Sequence, residues 1–217
     1  MADSNSRIGI LTKDTKMFLE SALDNLCELM EKNTGRKICA SIKLIENMGI
    51  DTNIDKNTAT IVTFCRSKNS DSDRTANDNK EQAGVLIKNN TDFYEMLDDN
   101  TNNSNVFYQS DLMQYDLDLK KLNKPYHNTT NNWSKYYKGT IVVPIRVARR
   151  RLHYLSLDEG YDIIGFLCVD SLATDAFRNN VDKNNNIRIV KSFAAELYII
   201  LNKYRFYLTK ISNGGTV

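Results

Sequence analysis

The chain has 217 residues, the size of one domain, since domains run to roughly 100–200 residues each. Hydrophobic residues make up 41% and charged residues 26%, enough apolar surface for a core and too much for a chain disordered throughout. Lys plus Arg number 29 against 27 Asp plus Glu, a net charge of +2 that sets up no global field toward nucleic acid or membrane, so any such binding needs a local patch.

Residues 1–11 read as a flexible polar tail whose short apolar run, Ile8-Gly9-Ile10-Leu11, falls below a signal-peptide core and points to the cytoplasm. From Thr12 to Lys32, Leu19, Ala22, Leu23, Leu26, Leu29 and Met30 keep the three-and-four spacing of one helical face. Thr12 or Asp14 suits its start and Asn33-Thr34-Gly35 its end. Ile38, Ala40, Ile42 and Leu44 then alternate with Cys39, Ser41 and Lys43, a strand with one strongly apolar face. Thr58 to Arg66 reads as a second strand, reached through a hairpin connection at Asn47 to Asn57.

Residues 67–82 form a polar insertion that cannot bury enough apolar area to offset its ordering entropy, which predicts a mobile loop between strands. Phe93, Met96 and Leu97 predict a short helix, Asn100 to Asn105 a polar turn, and Val106 to Tyr108 a strand. Leu112 to Leu122 has no clean period. Asn123 to Lys138 is irregular and holds Pro125, Tyr126, His127, Trp133, Tyr136 and Tyr137; a long aromatic-rich connection suits a binding loop.

Thr140 to Ala148 and Asp162 to Asp170 read as the strands of a hairpin whose connection carries Arg149-Arg150-Arg151. Val142, Pro144 and Arg146 share one face of the first strand, and Pro144 marks an edge, a bulge or a strand end. The second strand is apolar on both faces, as at a sheet centre, and its run from Ile163 to Val169 is too short to span a bilayer. Asn186 to Ile211 carries a long amphipathic stripe through Val190, Ala194, Leu197 and Leu201, and residues 212–217 read as a tail. The element order predicts one α+β domain over 12–211, with a central antiparallel sheet, terminal helices packed on one face and a pocket roofed by loops and helices on the other.

The runs Tyr136-Tyr137-Lys138-Gly139-Thr140-Ile141-Val142-Val143-Pro144-Ile145 and Ile163-Ile164-Gly165-Phe166-Leu167-Cys168-Val169-Asp170-Ser171, followed by the long closing helix, resemble a GAF domain. The resemblance runs from Leu19 to Tyr204 and implies a small sensory fold of GAF/PAS-like type, with a roofed ligand pocket and dimerisation through the terminal helices. Members of the family bind cyclic nucleotides, bilins, haem or 2-oxoacids. The cyclic-nucleotide subgroup's Asn-Lys pair and spaced Phe, Asp and Glu are met here by Asp170-Ser171, Phe177 and Asp182 with no final Glu. His127 lacks the neighbouring cysteine of bilin carriers. Free methionine sulfoxide reductases of this fold use several pocket cysteines; Cys27 and Cys168 read as buried helix and strand positions, which leaves Cys39 and Cys65 as redox candidates.

Phe107, Tyr108, Tyr126, Trp133, Tyr136 and Tyr137 could line a pocket for a flat ligand, oriented by Ser110, Asp111 and Arg146, or could instead complete the core. Arg146 either meets an anionic ligand or pairs with Asp111. Asp170 and Asp175, after the last strand, suit a capped turn or else a contact to a ligand. Cys39 and Cys65 lie on neighbouring strands and would need a register that sets them opposite. His127 and His153 alone supply too few ligands for a transition-metal site, and Asp71-Ser72-Asp73 lacks the glycine and glutamate of a calcium loop. Arg149-Arg150-Arg151 reads as a solvated turn, so nucleic acid is not an expected partner. The leading reading is a small-molecule-binding sensory or regulatory domain without catalysis, signalling as a homodimer or to a separate output protein. The alternatives are a ligand-free interaction module and a thiol redox sensor or reductase. No residue pattern names a cofactor.

Overall fold

The computed structural model describes residues 4–46, 54–80, 84–97, 106–130, 132–148, 161–178 and 180–213. Helix α1 runs over Ser4–Thr34, so residues 4–11, expected as a tail, form its first turns. Its early part lies along the closing helix, α5 (Asn180–Ser212), where the Thr12 hydroxyl and Tyr204 hydroxyl hydrogen-bond at 2.9 Å. Thr12 therefore joins two helices and caps neither. At the other end Gly35 takes the left-handed conformation at φ +65°, and its N–H donates to the Glu31 carbonyl at 2.8 Å, the close of a helix that a glycine makes cheaply.

Strands β1 (Cys39–Ile45) and β2 (Thr60–Arg66) pair antiparallel, followed by α2 (Ser72–Lys80), β3 (Val85–Leu86), α3 (Thr91–Met96), β4 (Phe107–Gln109) and α4 (Leu112–Lys121). The hairpin of β5 (Gly139–Ala148) and β6 (Tyr161–Ser171) completes a six-stranded antiparallel sheet in the order β3-β2-β1-β6-β5-β4. The fold class is α+β, with β6 beside the first strand at the sheet centre as its two apolar faces require. Pro144 stands past Val142, where pairing with β4 ends, and just before a register shift at Ile145/Arg146. It meets both the edge and the bulge condition for a strand proline.

Two segments differ from expectation. Ser72–Lys80, expected as a mobile loop, is helix α2, and its order comes from ion pairs that no apolar count registers: Arg66 with Asp78, and Arg74 with Asp170 at 3.2 Å. Leu112–Lys121, without a clean period, is helix α4, begun by Asp111 accepting from the Gln114 N–H at 3.0 Å.

The sheet separates two cores. On one face Ala40, Ile42, Val143, Leu167 and Val169 meet Leu19, Leu23 and Met30 of α1 and Val190, Leu197 and Leu201 of α5. On the other, Ile61, Val142, Phe166 and Cys168 meet Phe93, Phe107, Leu112, Tyr126 and Tyr137. Asn47–Asn53, Asn100–Asn105, Arg149-Arg150-Arg151 and residues 214–217 lie outside the described residues.

The register shift in β6 puts Ile164 into the helix-side core beside Gly165, where the backbone of β1 comes so close that an added Cβ would fall inside the Lys43 carbonyl oxygen. Gly165→Ala should lower stability by about 3 kcal/mol, because the obstructing atom belongs to a paired strand that cannot move aside. Urea unfolding of the two proteins measures this, and an equal midpoint would mean that β1 and β6 can separate locally.

Candidate functional site

Strand alternation sends Lys43 of β1, Cys168 and Asp170 of β6, and Thr140 and Val142 of β5 to the face away from the terminal helices. Together they floor a cavity roofed by Asn90, Asp92 and Phe93 at the start of α3 and by Asn128, Thr129 and Tyr137 from the connection before β5. The roof is stitched together by polar contacts: Asn90 Oδ1 accepts from the N–H and hydroxyl of Thr129 at 3.2 and 3.0 Å, and the Thr91 N–H donates to the His127 carbonyl at 3.0 Å. About 30 Å³ of free space remains inside. That is room for about one water, whose centre needs roughly 10–15 Å³.

Arg74 closes the cavity at its α2 side. Its guanidinium donates to Asp170 Oδ2 at 3.2 Å and lies over the rings of Tyr137 and Tyr136 at 5.0 and 5.8 Å. Asp170 Oδ1 accepts from the Thr140 hydroxyl at 2.8 Å, and the two charged side chains are only 9% and 7% exposed. Beyond this pair lies an outer pocket of about 120 Å³, lined by Lys37, Cys39, Asp71, Lys135 and Tyr136 and again by Arg74 and Asp170. The ion pair is thus the partition between two spaces.

Two further charges line the inner cavity. Lys43 donates from Nζ to the Thr63 hydroxyl at 2.9 Å, and its pKa is lowered, first by burial and then by the neighbouring Arg66. Asp92 accepts from the Phe93 N–H at 2.9 Å, and burial raises its pKa to about 7. Burial also raises the Tyr137 phenol, with the Asp170 charge adding to it. Among the described residues no group of three or more His, Cys, Asp or Glu side chains converges as a metal site.

The residues singled out from the sequence divide between several places. Tyr137 lines the inner cavity and Tyr136 the outer pocket. Phe107, Tyr126 and Trp133 form a packed cluster, Phe107 to Tyr126 at 6.3 Å and Tyr126 to Trp133 at 5.3 Å between centroids, and line neither. Their rings fill the core beneath α4. Tyr108 belongs to the opposite side of the sheet, where its hydroxyl donates to the Phe177 carbonyl. Ser110 precedes Asp111, which is spent on capping α4. Arg146 shares the Val142 face but pairs with Ile163 four residues along β5, roughly 13 Å from Val142. It lines neither space, and the expected pairing with Asp111 is not formed because the two stand toward opposite ends of β5. Asp175 pairs with Arg36 at the surface at 2.6 Å, whereas Asp170 faces the cavity and caps no turn; that role falls to Ser171, whose hydroxyl accepts from the Ala173 N–H.

Cys39 and Cys65 are not opposed. Cys39 pairs with Asp170 and Cys65 with Ile42, which places them on different faces. The Cys39 thiol donates to the Asn69 carbonyl at 3.1 Å, and burial together with the Asp170 charge raises its pKa. Burial, with the Glu20 charge adding to it, pushes Cys65 up to about 12. Both shifts work against a thiolate at neutral pH, the reverse of what a reactive cysteine needs.

The residues missed from the sequence are Lys43, Arg74, Asn90, Asp92 and Asn128. Lys43 had a signal, a charge inside an otherwise apolar strand; Arg74 and Asp92 looked like the solvated residues of polar segments.

No protein-family model and no curated protein matches the sequence. Among solved structures the chain is similar to the GAF domain of an Acinetobacter phosphoenolpyruvate-protein phosphotransferase, at 10% identity over 94% of this chain and 96% of that one, TM-score 0.47. It is also similar to a red/green cyanobacteriochrome in its red-light-absorbing state, at 12% identity over 85% and 94% of the two chains, TM-score 0.47. A third is a type II free methionine-R-sulfoxide reductase from Thermoplasma acidophilum, at 12% identity over 83% and 92%, TM-score 0.44. The architecture is GAF-like. Its own layers carry that statement: terminal helices on one face of a six-stranded antiparallel sheet, and a roof of short helices and loops on the other.

Two outcomes follow from the buried charges. Arg74→Ala should cost about 3–5 kcal/mol, since it leaves Asp170 charged and buried, whereas Arg74→Met with Asp170→Asn should recover most of this, the amide keeping the Thr140 contact. A double-mutant cycle by urea unfolding reads the difference. The second concerns pH. The folded pKa of Asp92 stands near 7, above its unfolded value near 3.8, so the folded state holds this proton more tightly. The stability contributed is full below pH 4 and lost as pH rises through 7. Asp92→Asn should therefore gain on the natural protein by roughly 2–4 kcal/mol between pH 5 and pH 8, measured by unfolding at both.

Proposed function

We propose that this chain is a cytoplasmic small-molecule-binding sensory module without catalysis of its own. The observation that carries the reading is the near-closed polar cavity between sheet and roof. A roof needed only to shield the sheet would be apolar, because taking charges out of water costs several kcal/mol each unless they are paired. Here Lys43, Arg74, Asp92 and Asp170 all face one small space. The raised pKa values of Cys39 and Cys65 favour binding over thiol chemistry.

The floor of the cavity suggests how a signal leaves it. In β6, Cys168 and Asp170 face the cavity while Leu167 and Val169 pack on the terminal helices, so a ligand that shifts β6 shifts both cores. Such a ligand acts only by binding one arrangement better than the other. The receiver in this proposal is a second copy of the chain. Ile10 and Met17 of α1, and Ile199 and Phe206 of α5, are exposed and stand seven residues apart on each helix, the spacing of a helix–helix seam.

Native mass spectrometry of freshly purified protein tests both parts in one spectrum. The expected result is a dimer, carrying a small added mass or gaining one when incubated with a panel of nucleotides, organic acids and amino acids. A monomer that takes up nothing, with no rise in melting temperature across that panel, would overturn the reading in favour of a module that only docks to other proteins.

A further inference from the structure

The charges around the cavity do not all pair. Arg66 takes Asp78 and Arg74 takes Asp170. Lys43 and Asp92 remain, one on the floor and one in the roof, and among the described residues neither has an opposite charge within 4 Å. Among the described residues Lys43 donates to the Thr63 hydroxyl, which also contacts Asp78, and Asp92 accepts from the backbone N–H groups of Phe93 and of Asp92 itself. Between Cys39 and Lys43 on the floor face, Ser41 is 1% exposed and its hydroxyl has no partner. A cation on one wall and an acid on the facing wall form an incomplete polar set, with Ser41 on the same strand face as Lys43 though not on the cavity wall.

We propose that the inner cavity is the binding site for a small zwitterion, its carboxylate meeting Lys43 and its ammonium group meeting Asp92, with the Arg74–Asp170 pair as the door through which it enters. This rests on the ligand-binding reading and names the class of ligand. A simple anion would leave Asp92 protonated and unused and a simple cation would leave Lys43 uncompensated, whereas a zwitterion engages both walls at once. The door follows from volume. The inner 30 Å³ cannot hold a carbon skeleton, but it abuts the outer 120 Å³, and among the described residues the two share Arg74 and Asp170 as lining. If Arg74 swings outward with α2, the two spaces join. Lys135, which reaches from the outer pocket to Asp73 of α2 at 3.0 Å, would then be one of the surface contacts that reset the helix.

The test is thermal shift followed by calorimetric titration of the full chain with each of the common amino acids, and with propionate and propylammonium as singly charged controls at matched ionic strength. At least one zwitterion should raise the melting temperature saturably while neither control does. Lys43→Met and Asp92→Asn should each weaken binding at least about tenfold, the loss of one charged contact. Neither variant breaks an ion pair among the described residues, so both should stay folded, which circular dichroism checks. A propionate shift as large as the best amino acid's, binding that survives both variants, or no shift with any amino acid would overturn the proposal. In that last case a nucleotide or organic acid found by native mass spectrometry would leave the sensory reading standing, and no ligand of any class would remove both.

Discussion

The Arg74–Asp170 ion pair ties helix α2 to the central strand of the sheet, as Arg66–Asp78 ties it to β2. Asp170 lies at the end of the central strand and Arg74 on a helix with no apolar stripe, so the contact spans the sheet and an otherwise soluble segment. Because both side chains are nearly dry, each is strongly committed to the other, and removal of one partner costs more than the pair itself contributes. With the pair formed, α2 closes the side of the cavity, Tyr136 and Tyr137 stack beneath the guanidinium, and the inner space is cut off from the outer.

The two faces of the sheet follow different physical rules. Toward the terminal helices, burial of Leu, Ile and Val supplies non-directional stabilisation, and Cys27 and Cys65 act there as small apolar residues whose thiols burial raises to about 12. Toward the roof, polar groups must be matched individually. Asn90, Thr129, Asn128 and Tyr137 do so through hydrogen bonds, such as Asn128 Nδ2 to the Tyr137 hydroxyl at 2.7 Å. The aromatic residues of the roof serve mainly to pack against one another. The cavity wall is consequently small and mostly polar, with Phe93 and Tyr137 its aromatics among the described residues.

In the proposed sensory role that division makes the site responsive. Asp92 is held near its titration point by burial, Lys43 is destabilised as a cation, and the partition between the two spaces is a single ion pair on a short helix. The first two of these cost folding stability. In the proposed role both costs are relieved by a change of charge or occupancy in the same small volume, the condition under which binding energy converts into movement of β6 and the helices behind it.

Residues that bury an apolar face wrote their structure into the chain. The stripe Leu19, Leu23, Leu26, Met30, the alternation of Ile38, Ala40 and Ile42, and the doubly apolar run Ile163 to Val169 repeat at the period of the element they form, so the helices, the strands and the central place of β6 were legible. Pro144 and Gly35 announced a bulge and a helix end through their backbone chemistry. The aromatic connection was legible as the roof, yet which rings would pack and which would line a space was decided by their distances to one another. Helix α2, Arg74, Asp92 and the unpaired state of Lys43 lay beyond reach, because an ion pair between residues 74 and 170 has no period and no local signature. Its energy exists only once the sheet has brought the partners together and excluded the water that would otherwise solvate them.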